Sequence, residues 1–155
     1  MITPDNLHKI LIAVEDSIYS EQASDYGFRL AKKFDAEVAL VHVNDVISTT
    51  TAHLTDPILN EPMIMMPEAM DIQEEASKKL FERLSKGRED TTIYTFMKIG
   101  NPRDEILITA DEWNADLIIV GTHGRTGFDH FISGSVAEGV ARKAKCPVLI
   151  IPKME

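Results

Sequence analysis

The sequence predicts an α/β fold in three layers, a parallel sheet of five strands with four helices covering its two faces. Short apolar runs rich in Val and Ile recur along the chain, and such runs are typical of strands buried on both faces. Longer stretches lie between them, and their apolar residues recur at helical spacing. The alternation favours a parallel sheet, because parallel neighbours need a long crossover between them.

The composition indicates an ordinary globular protein. The 155 residues are 44% hydrophobic and 26% charged, and we expect a single domain over residues 1–155. A net charge of −9 argues against non-specific binding to nucleic acid or to an anionic membrane, which needs a basic face. Cys146 is the one cysteine and suits a reducing cytosol, where we expect it to be a buried small side chain. No apolar run is long enough for a signal peptide or a membrane span, so we expect a cytoplasmic protein.

The first half of the chain has a β-α-β pattern. Residues 9–14 form strand 1, residues 20–34 form helix 1 and residues 37–43 form strand 2. Ser20 is the expected N-cap of the helix. The residues expected to face inward on helix 1 are Ala23, Gly27, Leu30, Ala31 and Phe34. We expect a right-handed crossover between the two strands.

Residues 44–71 show no lasting period and are expected to be an irregular insertion. Three prolines interrupt the segment: Pro57, Pro62 and Pro67. Its methionine cluster is either an adaptable lid or partner surface, or part of a packed or disordered loop, and consists of Met63, Met65 and Met66.

The second half continues the alternation. Helix 2 is expected at residues 73–85, strand 3 at 91–98 and strand 4 at 117–120, with helix 4 at 135–144 and strand 5 at 147–151. Helix 2 should end before Gly87 and bury Ala76, Leu80, Phe81 and Leu84. Helix 3 should begin at Asn101-Pro102, with Asn as cap and Pro in the first turn, and bury Ile106, Ala110 and Trp113. Helix 4 should bury Val136, Val140 and Ala144.

Strand 4 runs into a glycine-rich loop that ends at a helix start, and these are the parts of a phosphate site. Four glycines fall within fourteen residues: Gly121, Gly124, Gly127 and Gly134. Glycine lets the backbone approach an anion, and the helix start offers unpaired N–H groups and partial positive charge. The spacing is neither that of a P-loop nor that of G-x-G-x-x-G, and a plain strand-to-helix connection is the alternative interpretation.

The spacing Gly121-x2-Gly124-x9-Gly134-Ser135 resembles the G-x2-G-x9-G-[S/T] motif of the ATP-binding branch of the universal stress protein family. Residues 10–17, 41–43, 100–106 and 145–151 resemble other parts of that family. The resemblance implies a Rossmann-like adenine nucleotide-binding fold with strand order 3-2-1-4-5. A parallel sheet of that order binds ligands between the carboxyl ends of strands 1 and 4.

The resemblance also implies a set of nucleotide-binding residues. They are Ala13, Val14, Glu15, Val43, Val120, Gly121, Gly124, Arg125, Gly134, Ser135 and Val136. Glu15 stands where the family has Asp and could accept hydrogen bonds from ribose hydroxyls, and the neighbouring Asp16 could substitute for it. Both acids could instead compensate the dipole of helix 1.

The loop side chains leave alternatives open. Arg125 could bind phosphate bidentately or be a solvated surface charge. His123 and His130 could polarise a substrate or be ordinary loop residues. The chain contains neither a G-x-S-x-G elbow nor an HExxH pair, so we expect no catalytic residues and no protein-only metal site. A Mg²⁺ ion could accompany the triphosphate of ATP through phosphate oxygens and water.

The functional expectation is therefore an ATP-binding regulatory or stress-response module. A slow ATPase or nucleotidyl-transfer enzyme and a non-nucleotide interaction protein are the rival hypotheses. Strand 5 would lie at a sheet edge, and an uncovered apolar edge invites pairing with another chain. We expect a homodimer through Val148, Leu149, Ile150 and Ile151, with Leu149 or Ile150 central to the contact, as the resemblance also implies. A monomer whose edge is shielded by residues 44–71 is the alternative interpretation.

Overall fold

The computed structural model describes residues 4–44, 67–122 and 135–154. A short 3₁₀ turn at Pro4–Asn6 precedes the first strand. The strands are β1 (Lys9–Ala13), β2 (Glu37–Asn44), β3 (Ile93–Ile99), β4 (Leu117–Gly121) and β5 (Val148–Ile151). The helices are α1 (Ile18–Phe34), α2 (Pro67–Ser85), α3 (Pro102–Trp113) and α4 (Ser135–Lys143). Within the described ranges, no helix is long and apolar enough to cross a membrane.

The five strands form one parallel sheet in the order β3-β2-β1-β4-β5, which confirms the predicted fold class and strand order. The central strand β1 pairs with β2 on one side and with β4 on the other. Its residues Ile10, Leu11 and Ile12 are each 0% exposed. An apolar run without polar alternation is therefore what this position requires, because helices cover both faces of the strand.

Each face of the sheet carries its own apolar core. The first core joins α1 and α2 to one face, and its members include Ile10, Ile12, Val38, Leu40, Ala23, Phe28, Leu80 and Phe81. The second core joins α3 and α4 to the other face, and its members include Leu11, Ala39, Val41, Ile118, Val120, Ile106, Ala110, Ala137 and Val140. Adjacent residues of one strand belong to different cores, because side chains alternate across a sheet.

The prediction that Ser20 caps α1 is wrong, because the helix begins earlier. Ser17 is the N-cap, in extended conformation, and its hydroxyl accepts a hydrogen bond from the Ser20 N–H at 3.2 Å. Ser20 lies inside the helix and is buried. Because Ser20 is not the cap, its hydroxyl can bond elsewhere, and it accepts a hydrogen bond from the Glu15 N–H beyond the end of β1.

The start of α2 also differs from the prediction. The helix begins at Pro67, six residues before the expected start at residue 73. Proline is tolerated in the first turn of a helix, where its missing N–H would have no helical partner. Asn44 belongs to β2, so the irregular stretch expected over residues 44–71 is shorter at both ends. Residues 45–66, with the methionine cluster, lie outside the described residues.

The buried stripe of α2 matches the prediction at Leu80, Phe81 and Leu84 and differs from it at one position. Ala76 is exposed, whereas Ser77 is 2% exposed and lies on the same face as Leu80, Phe81 and Leu84. The Ser77 hydroxyl donates to the Gln73 carbonyl oxygen at 2.9 Å, so its burial leaves no polar atom unpaired. A polar residue that is satisfied within its own helix escapes a search for apolar spacing.

The termini of the other helices agree with their sequence signals. The Asn101 side chain accepts from the Asp104 N–H at 3.2 Å, and Pro102 occupies the first turn of α3. Asp35 and Asn114 end α1 and α3 in the left-handed conformation, with φ of 54° and 58°. Asn and Asp enter this region more readily than other non-glycine residues.

Gly27 allows α1 to approach the central strands closely. A Cβ built at this position would lie 2.4 Å from Ile12 Cδ1 and 3.1 Å from Ile119 Cδ1. Both isoleucines are 0% exposed and are held by their neighbours. Gly139 in α4 offers a contrast, because a Cβ there would lie 2.5 Å from Cδ of Arg103, whose side chain is 38% exposed.

We predict opposite effects of Ala at the two helical glycines. Ala raises helix propensity by about 1 kcal/mol at either position, but overpacking a buried site costs about 1–3 kcal/mol. Gly27→Ala should therefore lower the free energy of unfolding by up to about 2 kcal/mol. Gly139→Ala should leave it unchanged or raise it by up to about 1 kcal/mol, because the Arg103 stem can move. Urea denaturation measures both values, and equal changes of one sign would contradict the packing role of Gly27.

Candidate functional site

The strand order places the carboxyl ends of β1 and β4 side by side at the switch point of the sheet. The chain leaves β1 toward β2 on one side, whereas β4 pairs with β1 on the other side. Ligands of open parallel sheets bind at such a point, where the connections diverge and leave a crevice. The predicted site residues that the structure describes cluster around these strand ends.

Four of the predicted residues share one surface. Ala13, Val43, Val120 and Val136 all belong to the second core or pack against it, and we refer to them as the apolar wall. Val120 is 3% exposed, and the other three are only partly buried. The four come from the ends of three adjacent strands and from the start of α4. The wall thus combines an apolar surface with a helix N-terminus at one end of the sheet, which suits a flat ring that carries phosphate.

Val14 does not belong to the apolar wall. Its side chain is 5% exposed and lies in the first core, on the opposite face of the sheet. Its N–H donates to the Val41 carbonyl oxygen at 2.9 Å and continues the β1–β2 ladder past the end of β1. Its carbonyl oxygen accepts from the imidazole Nδ1–H of His42 at 2.8 Å. The neutral ring therefore carries its proton on Nδ1, since a carbonyl oxygen only accepts.

The residues that follow Val14 form a turn in which side chains satisfy the backbone. The Glu15 N–H donates to the Ser20 hydroxyl at 2.7 Å. The Glu15 carbonyl oxygen accepts from the Ser17 N–H at 2.9 Å. The Ser17 hydroxyl lies 3.5 Å from Glu15 Oε1, at the limit of a hydrogen bond. The backbone of the turn is therefore held by hydrogen bonds to side chains of α1 and β2.

Asp16 is engaged in an ion pair that was not predicted. Arg83 of α2 donates from Nη2 to Asp16 Oδ1 at 2.7 Å, and its Nε lies 3.3 Å from Glu21 Oε1. The hydrogen bond to Asp16 raises the pKa of the Arg83 guanidinium above its usual value. The pair is largely exposed, so it orients the side chains more than it stabilises the fold.

The phosphate-loop residues fall mostly outside the described part of the chain. Gly121 ends β4, and the Thr122 N–H donates to the Ile151 carbonyl oxygen at 3.0 Å, which carries the β4–β5 ladder one residue further. Ser135 begins α4, as predicted. The remaining loop residues of interest lie in the range 123–134, outside the described residues: His123, Gly124, Arg125, Gly127, His130 and Gly134.

Three residues that contact the end of β1 or the turn after it were not predicted as site residues: Ser20, His42 and Arg83. His42 offered a signal, because a lone polar residue within the apolar stretch of β2 needs a hydrogen-bond partner when it is buried. Ser20 and Arg83 offered none, since their roles depend on which element packs beside them.

Cys146 packs against the second core, and burial raises the pKa of its thiol, which favours the unreactive protonated form. Among the described residues, no group of three acidic, His or Cys side chains is placed to hold a metal ion.

The comparisons with known proteins agree on one family. The model of the universal stress protein family matches residues 6–152. Universal stress protein MJ0531 of Methanocaldococcus jannaschii is 35% identical over 153 residues, which cover 96% of this chain and 85% of that protein. Universal stress protein YxiE of Bacillus subtilis is 36% identical over 154 residues, which cover 93% and 98%.

Solved structures show the same fold. Hypothetical protein MJ0577 superposes with a TM-score of 0.79 at 26% identity, with 96% of this chain and 98% of that chain covered. A universal stress protein in complex with cAMP gives 0.65 at 23% identity, covering 94% and 97%. The universal stress protein from Archaeoglobus fulgidus in complex with dAMP gives 0.63 at 21% identity, covering 93% and 97%.

Proposed function

The chain belongs to the universal stress protein family, and we propose that it binds ATP at the switch point of its sheet and acts as a dimeric regulatory or stress-response module in the cytoplasm. The carrying observation is the apolar wall, four residues from three strand ends and one helix start that belong to the second core or pack against it. We assign the adenine ring to this wall. Two proteins of the same fold hold cAMP and dAMP, which supports an adenine nucleotide by analogy of fold.

The polar groups around the wall complete the proposal. Glu15, on its fixed turn, accepts hydrogen bonds from ribose hydroxyls. The N-terminus of α4 at Ser135 offers unpaired N–H groups and partial positive charge to the phosphates. We assign the motif glycines Gly121, Gly124 and Gly134 to the same anion, because glycine has no Cβ that would obstruct its backbone N–H. Arg125 meets the phosphates as a second charge, and Mg²⁺ is held by phosphate oxygens and water.

The decisive experiment is to denature the purified protein and identify what is released. Release of adenine nucleotide supports the proposal, and a protein that neither releases nor binds ATP in calorimetry overturns it. Turnover assays on the wild type and on Arg125→Ala separate a binding module from a slow ATPase or nucleotidyl transferase. We expect hydrolysis to be slow or absent.

We predict that Gly124→Val abolishes ATP binding and leaves the protein folded. A branched side chain would stand where the backbone N–H groups approach phosphate. Gly127→Val is the matched control, because Gly127 lies in the same loop but outside the motif spacing and should retain near wild-type affinity. Calorimetry reports both affinities and circular dichroism reports folding. Unchanged affinity in a folded Gly124→Val protein would falsify the phosphate-loop assignment.

The proposed dimer uses β5, an edge strand of the sheet. The Ile150 side chain of this strand is 38% exposed. Leu149 packs against the first core instead, and Ile151 is 6% exposed. The available hydrogen-bonding edge and the exposed Ile150 support antiparallel pairing with the β5 strand of a second copy. Of the four β5 residues, Ile150 is therefore the one that can be changed without entering a core.

We predict that Ile150→Lys converts a homodimer into a monomer of similar stability. A charge at the centre of an apolar contact would lose its water without a partner. Met97→Lys on the opposite edge strand, where Met97 is 37% exposed, is the matched control and should remain dimeric. Light scattering at micromolar concentrations gives the masses. A monomeric wild type, or a dimer that survives Ile150→Lys, places no interface on β5.

A further inference from the structure

A single peptide group at the end of β1 is held from two sides by side chains. The Val14 carbonyl oxygen and the Glu15 N–H belong to the same peptide unit. The first accepts from His42 at 2.8 Å and the second donates to Ser20 at 2.7 Å. Both side chains are nearly buried, with 7% and 6% exposed. We refer to this arrangement as the Ser20–His42 clamp.

The clamp occupies the point where the ladder between β1 and β2 gives way to the turn. A peptide at a strand end would ordinarily turn its polar groups to the next strand or to water. Here two elements of the fold supply the partners, α1 through Ser20 and β2 through His42. His42 also contacts α2, because the Phe81 ring packs edge-to-face with the imidazole at a centroid distance of 6.5 Å. Short, buried hydrogen bonds of this kind fix a backbone more firmly than exposed ones.

Ser20 serves the clamp rather than the start of its helix. The N-cap is Ser17, which accepts from the Ser20 N–H through its own hydroxyl. The Ser20 hydroxyl can therefore be removed without uncapping α1, and Ala at that position favours the helix.

We propose that Ser20 and His42 are positioning residues that make this site selective for ribonucleotides, by fixing the backbone from which Glu15 reaches the ribose hydroxyls. The inference rests on the proposed nucleotide site and adds to it the source of its sugar selectivity. Glu has one methylene more than Asp and one more rotatable bond, so its carboxylate needs a fixed backbone to stay in place. The phosphate contacts that we propose at the start of α4 do not depend on the clamp, which lies at the end of β1.

The test compares ATP with 2′,3′-dideoxy-ATP, which lacks both ribose hydroxyls. Hydrogen bonds to a carboxylate are among the stronger ones, so the wild type should prefer ATP by about tenfold or more. Ser20→Ala should bind ATP about tenfold more weakly and bind the dideoxy analogue almost as the wild type does. Its preference should therefore fall to about threefold or less. Calorimetry measures all four dissociation constants.

Ser24→Ala is the matched control. Ser24 lies one turn further along α1 and is 0% exposed, and its hydroxyl has no hydrogen-bond partner within the described part of the structure. Its removal takes the same atom from the same buried helix but leaves the clamp intact. The preference for ATP should stay at the wild-type value. Amide hydrogen exchange at Glu15 should quicken in Ser20→Ala and not in Ser24→Ala.

Variants of His42 test the same proposal independently of Ser20. His42→Phe keeps a ring beside Phe81 but removes the donor, and should lower the preference as Ser20→Ala does. His42→Asn places an amide N–H near the position of Nδ1 and should restore much of it. Thermal melts identify variants that fold, and Ser20→Ala decides the question if His42→Phe does not.

The outcomes separate this inference from the proposed function. A wild type that binds ATP and discriminates, with an unchanged preference in folded Ser20→Ala, overturns the clamp and leaves the nucleotide site standing. A wild type that binds both nucleotides equally also overturns the clamp alone. A wild type that binds neither nucleotide overturns both proposals. Loss of preference in Ser20→Ala but not in Ser24→Ala supports the clamp.

Discussion

The structure depends on the burial of β1. This strand has a neighbour on each side and a helical layer on each face, so its polar groups must be paired by the sheet and its side chains must be apolar. Ile10, Leu11 and Ile12 meet both conditions, whereas Lys9 and Ala13 at the two ends of the strand are only partly buried. The apolar run stops at Val14, and the acids Glu15 and Asp16 could not follow it inward without partners. The same change from apolar to acidic residues ends the strand and opens the crevice.

The two faces of the sheet contribute different groups to that crevice. The first core, under α1 and α2, supplies the clamp and the ion pair of Asp16 with Arg83, which hold the turn after β1. The second core, under α3 and α4, ends in the apolar wall. Side-chain alternation makes this division unavoidable, because consecutive residues such as Ala13 and Val14 must enter different layers. The site is therefore rigid on one face and shaped for contact on the other.

More of the fold than of the candidate site could be predicted from the sequence. Buried strands and helices leave apolar runs and helical spacing in the sequence. These patterns were enough to predict the strands, the helices and the α/β class. The strand order came from the family resemblance, because alternation alone does not say which strands are neighbours. Ser17 and Ser20 both precede the helical pattern, and only the three-dimensional position of an N–H decides which hydroxyl caps. The Arg83 pair joins residues 67 positions apart, and no local pattern reports it.

Ser20 shows why the site was harder to predict than the fold. A serine near a helix start has a local interpretation, the N-cap, and that interpretation accounts for the residue without reference to anything else. Here the neighbouring Ser17 caps the helix, and the Ser20 hydroxyl bonds across the turn to a peptide at the end of β1. Helix propensity would favour Ala at that position, so the hydroxyl serves the turn and not the helix. The turn also carries Glu15, the acid that we assign to the ribose, and this links the hydroxyl to the ligand that we propose for the crevice.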